Sequence, residues 1–235
     1  VALAPNLAAA QAALGFALVD GRLDARGARQ PYRLSYELAR GDADILGRFG
    51  NFEARCGRFD TARPAVMRAA ELDPLNARAF RQIGQVEYSA RNYAAVSAPI
   101  EQALKLNPEM SAAWATMGMA HLLLGNLSAA SASFAKEKGS LYRLSGQTLI
   151  AIKQGNNDEA ERLLAQLIAS DGDNSLFQRA EIMTQWGRKD EALKLLETGY
   201  DALDAGLIQI ATDPLLDPLR QEPRFIRLVN AIGFD

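Results

Sequence analysis

A 34-residue internal period constrains this chain more than any other feature. Pro74 and Pro108 stand 34 apart, as do Ala69 and Ala103, Phe80 and Trp114, and the series Gly50, Gly84 and Gly118. A unit that recurs in register at this length cannot bury its apolar face alone. It stacks on its neighbours and builds a solenoid. Within each unit the large apolar residues recur at spacings of three and four, which puts them on one side of a helix. Small residues stand where two helix axes must come close, and a proline ends the second helix because it cannot continue it.

The pattern resembles the tetratricopeptide (TPR) repeat, in which each unit is two antiparallel helices, A and B. The unit from Ala43 supplies Leu46, Phe49, Gly50, Ala62, Val66, Ala69 and Pro74 at the expected positions. The unit from Ala77 supplies Phe80, Ile83, Gly84, Val96, Ile100, Ala103 and Pro108. The unit from Ser111 supplies Trp114, Met117, Gly118, Ala130 and Phe134. Weaker units flank these three. The expected architecture is all-α: a right-handed TPR superhelix, or α-solenoid, of about six repeats with a C-terminal capping helix. The repeats fall at about 8–42, 43–76, 77–110, 111–140, 141–172 and 173–206, and residues 207–235 form the cap. Gly57, Gly125 and Gly155 suit left-handed helix ends. Pro31, Pro64 and Pro99 fall inside B helices, where they should kink the helix or delay its start. In the tail, Pro223 suits a first helical turn and Gly233 its C-terminal cap. Phe225, Leu228, Val229 and Ile232 would turn inward.

The tail, Asp213-Pro-Leu-Leu-Asp-Pro-Leu-Arg-Gln-Glu-Pro-Arg-Phe225, and the stretch Tyr88-Ser-Ala-Arg-Asn-Tyr93 resemble the C-terminal region of bacterial regulatory proteins. In those, a TPR array follows a winged-helix DNA-binding, nucleotide-cyclase or kinase domain. The resemblance implies a regulatory role in signalling. The opening residues Ala2-Leu3-Ala4-Pro5-Asn6 resemble the end of a repeat. The chain is therefore expected to be a C-terminal piece of a longer protein, with self-association through the cut end as one consequence.

Net charge is −2, which gives no sign of nucleic-acid binding, but the charge is uneven. Residues 1–91 hold 13 Arg, no Lys and 10 acidic residues, while the remainder carries an acidic excess. No apolar run is long enough for a membrane span. The single cysteine, Cys56, rules out an intrachain disulfide and leaves the compartment open between cytoplasm and periplasm. No phosphate loop, His-Glu-x-x-His or nucleophile elbow is present, and one histidine cannot supply a two-histidine metal site. No enzyme activity and no cofactor are expected. Position 11 of three successive repeats holds Glu53, Glu87 and His121. These read as side chains paired with nearby arginines rather than as a cation ladder.

The functional expectation is a protein-interaction module that binds a peptide or protein in its concave groove. Helix A positions that face such a groove hold Arg48, Asn51, Arg55, Arg78, Arg81, Gln82, Gln85, Tyr88, Met119 and Leu122, followed by Phe177, Gln178, Glu181 and Gln185. The arginines suit an acidic segment or a C-terminal carboxylate. The two-carboxylate clamp of chaperone-binding TPR domains is not reproduced. Asn51 fits it, whereas Gly47, Gln82, Ala112 and Thr116 do not.

Overall fold

The computed structural model describes residues 6–234, so Ala2 to Pro5 lie outside it. The helices fall into six antiparallel pairs: α1 (Ala8–Arg22) with α2 (Ala25–Leu38), α3 (Ala43–Arg55) with α4 (Phe59–Leu72), and α5 (Ala77–Ser89) with α6 (Ser97–Leu106). They continue with α7 (Ala113–Leu123) and α8 (Leu127–Lys136), α9 (Ser140–Lys153) and α10 (Asn157–Asp171), and α11 (Leu176–Gln185) and α12 (Lys189–Asp201). A last helix, α13, spans Pro223–Ile232. Asp42, Asn76, Asn126 and Asn156 each accept a backbone N–H of the helix they precede, which satisfies donors the helix leaves open.

The three glycines of the period explain how the pairs close. A Cβ on Gly50 would lie 2.7 Å from Val66 of α4, on Gly84 2.6 Å from Ile100 of α6, and on Gly118 2.7 Å from Phe134 of α8. Each A helix therefore touches its own B helix through a bare backbone. Phe134 is fully buried, wedged between Gly118 and Gly146 of the next unit. Helices α2 and α4 run on through Pro31 and Pro64. Ahead of Pro99, a short 3-10 turn at Tyr93–Ala95 replaces the start of the helix, so α6 begins late.

Successive odd helices, α1 to α11, touch one another, and each of α2, α4, α6 and α8 packs on the odd helix that follows it. The odd helices therefore line the inner, concave side. Along that side runs the segment after α12. It forms 3-10 turns at Ala205–Gln209 and Pro214–Leu219, and Leu207, Ile210, Leu215, Leu216 and Leu219 are fully buried. The first turn reaches α1, and the second packs on α11. Gln185 donates to the Leu215 carbonyl at 2.6 Å. Arg91, from the turn after α5, holds Asp217 with Nε and Nη2 at 3.1 and 2.5 Å. Arg91 takes a left-handed φ of 62°, where the corresponding turns use Gly57, Gly125, Gly155 and Gly187. Helix α13 packs on α12 and buries Phe225, Leu228 and Ile232, with Val229 partly covered. Its end reaches α2, where Arg29 donates to the Gly233 carbonyl at 3.1 Å. The tail thus ties the last helix pair to the first.

Candidate functional site

Two stretches of the concave side differ in kind. On α3 and the start of α5, arginines stand at the surface. Arg48 pairs with Asp44 at 2.7 Å, and Arg78, 59% exposed, reaches the same carboxylate at 4.0 Å. Arg55 is mostly covered and pairs with Asp20 of α1 at 3.3 Å. Asn51 is half-buried beside them, and Gln82 is buried against Gly47.

From the middle of α5 to α11 the tail narrows the groove to a partly open cavity. Gln209 and Asp213 of the tail roof a cavity of about 120 Å³ whose floor is formed by Arg81, Gln85, Tyr88, Met119, Tyr142, Gln178 and Glu181. Leu122, Phe177 and Met119 are buried rather than presented to solvent. The expectation of a continuous groove is corrected here: the chain's own tail fills this part, because its apolar run needs the inner face to escape water. The stretch of groove expected to be apolar is the one that is covered.

Arg81 makes no hydrogen bond or ion pair with any described residue. Burial pulls its guanidinium below its ordinary pKa, and the like charges of Arg78 and Arg55 add to this. Gln85 Oε1 is buried and unpartnered. Burial pushes the Tyr88 hydroxyl well above its usual value and raises that of Tyr142. Glu181 and Asp213 form a hydrogen-bonded pair. Burial raises both: Asp213 rises to about 6, and Glu181, pushed further by the Asp213 charge, rises well above the carboxylate range. Asp213 also accepts the Leu215 N–H at 2.8 Å, which holds the tail turn in place.

Two of the three position-11 side chains, Glu53 and Glu87, are paired with arginines as the sequence suggests. Arg58 grips Glu53 at 2.6 and 2.8 Å, and Arg63 grips Glu87 at 2.8 and 3.2 Å. Among the described residues no group of three or more His, Cys, Asp or Glu is placed to hold a metal ion. Burial pushes the half-buried Cys56 thiol to about 11, so it is not a nucleophile at neutral pH. Sequence reasoning reached most of the cavity floor. It missed Tyr142, Gln209 and Asp213. The signal for the last two was the apolar density of residues 207–219, which exceeds what a simple cap needs.

The tetratricopeptide-repeat family model matches residues 49–95 and 148–206. No curated protein matches the chain. Among solved structures, Pseudomonas aeruginosa pilF superposes with a TM-score of 0.57 at 18% identity, covering 86% of this chain and 94% of that one. A thermophilic TPR protein from Thermus thermophilus gives 0.56 at 17% identity, covering 81% and 98%. A tetratricopeptide repeat protein from Parabacteroides merdae gives 0.56 at 15% identity, covering 96% and 98%. The fold is a TPR superhelix, and no described helix is long and apolar enough to cross a membrane.

Proposed function

We propose that this chain is a non-catalytic interaction module that docks an acidic peptide segment, or a C-terminal carboxylate, of a partner protein on the arginine-bearing part of its concave side. The charge imbalance there carries the reading. Against Arg48, Arg55 and Arg78 stand two ion-paired carboxylates, Asp20 and Asp44. Arg48 and Arg78 share one of them and keep donors turned to solvent. A guanidinium fork matches a carboxylate in two parallel hydrogen bonds, so an acidic chain end fits where a basic one is repelled. The contacts are exposed, so affinity is modest and falls as added salt shortens the ~10 Å screening length of 0.1 M solution.

Fluorescence anisotropy with labelled peptides tests this. A peptide ending in Asp or Glu should bind. Replacing Arg48 and Arg78 together with Ala should weaken it about tenfold and leave the helical circular dichroism unchanged. A peptide array that returns only basic or purely apolar ligands contradicts the reading.

A second reading, a regulatory domain that controls an attached N-terminal winged-helix, cyclase or kinase domain, draws on the cavity beside the tail. A ligand held there contacts the same tail that ties the two ends of the array. Its mark would be slower proteolysis of the tail when the cavity is filled.

A further inference from the structure

We infer that the cavity between α5, α7, α9, α11 and the tail is a binding site for a free amino acid with a small uncharged side chain. This stands apart from the peptide-docking surface. That surface is the exposed Arg48 and Arg78 stretch, whereas this site is the partly open cavity beside the tail.

A guanidinium and a carboxyl pair line one chamber without bonding each other. Arg81 has no partner among the described residues, while Glu181 and Asp213 turn to one another. Arg81 is half-buried, and its unpartnered guanidinium is left to the cavity, where an anion can take up its donors. A molecule with a carboxylate at one end and an ammonium at the other satisfies both walls. Its carboxylate accepts from the Arg81 fork and the Tyr142 hydroxyl. Its ammonium donates to the unpartnered Gln85 Oε1 and to the carboxyl pair. Met119 and Ala115 supply the apolar wall against which a methyl or methylene group packs.

The cavity, about 120 Å³, is large enough for a free amino acid. Water alone leaves the charges solvated but unneutralised, and it is the competing occupant.

Isothermal titration calorimetry on the full chain decides between them. The probes are glycine, L-alanine, L-serine and β-alanine, with acetate and ethylamine as controls that carry one charged end each. At least one amino acid should bind saturably. At the concentration where it saturates, neither control should give measurable heat. Arg81→Gln should weaken binding at least tenfold, and so should Asp213→Asn, which keeps the cap on the Leu215 N–H. Arg78→Ala, outside the chamber, should leave binding unchanged, although it weakens acidic-peptide binding. If every probe is silent, the cavity holds only water and the inference falls. It falls equally if acetate binds as well as the amino acids do, or if folded Arg81→Gln binds like the wild type.

Discussion

The two stretches of the concave side are built from the same repeat and end up opposite in character. Around α3 and the first turn of α5, arginines face solvent and share a carboxylate. From mid-α5 to α11, the inner face is partly covered by the chain's own tail, and a cavity lined by Arg81 and the unpartnered Gln85 Oε1 remains. The repeat determines which side chains point inward. What covers them is decided elsewhere, by a 3-10 segment with five fully buried apolar residues. A solenoid's concave side is thus a surface the protein can offer or keep for itself, and here it does each over part of its length.

The largest effect should come from removing the roof's anchor. Leu216→Ala deletes a fully buried side chain and should cost about 2–5 kcal/mol. Arg48→Ala, on the open stretch, should stay within about 0.5 kcal/mol. Urea midpoints measure both. Equal effects would mean that the tail is not packed as described.

Gly84→Leu strikes α5, which serves both stretches. A Cβ there already meets Ile100 at 2.6 Å, so overpacking should cost about 1–3 kcal/mol. An unchanged denaturation midpoint would refute the close α5–α6 contact.

The third prediction concerns pH and touches only the closed stretch. Glu181 and Asp213 have folded pKa values above the ordinary range near 4, Asp213 at about 6. The stability that goes with a raised value is complete below about pH 4 and is lost as pH climbs through the folded values. Glu181→Gln keeps a donor for Asp213 and removes one ionisation. It should melt a few degrees higher than wild type at pH 8 and about the same at pH 4. A wild-type melting temperature flat from pH 4 to 8 would show that the pair is not buried.

The smallest effect belongs to the latch. Burial opposes the Asp217 charge, but hydrogen bonds from Arg91 and Arg220 hold its carboxyl below its ordinary value. Both partners are about 40% exposed, so Arg91→Ala should cost no more than about 1 kcal/mol. It should mainly speed amide exchange in residues 213–219.

The same contrast explains what the sequence made legible. Gly50, Gly84 and Gly118 announced the close helix contacts because a fixed period leaves one place for a bare backbone. Glu53 and Glu87 read correctly as arginine partners because their neighbours are local. Phe225, Leu228 and Ile232 declared a capping helix through their spacing. The roof was not legible in this way. Leu207, Ile210, Leu215, Leu216 and Leu219 follow neither the 3.6 nor the 2.0 period, so their pattern names no face and no partner. Arg81, Gln85, Tyr88, Gln178 and Glu181 could be placed on the inner side, but their partial covering depends on that unperiodic segment.

Hydrogen–deuterium exchange over residues 205–219 tests the central claim most directly. If the tail lies along the inner face, peptides from this segment should be protected to the same order as those from α5 and α11, and Leu216→Ala should strip that protection. Exchange within seconds in the wild-type chain, as for an unstructured tail, would contradict the account.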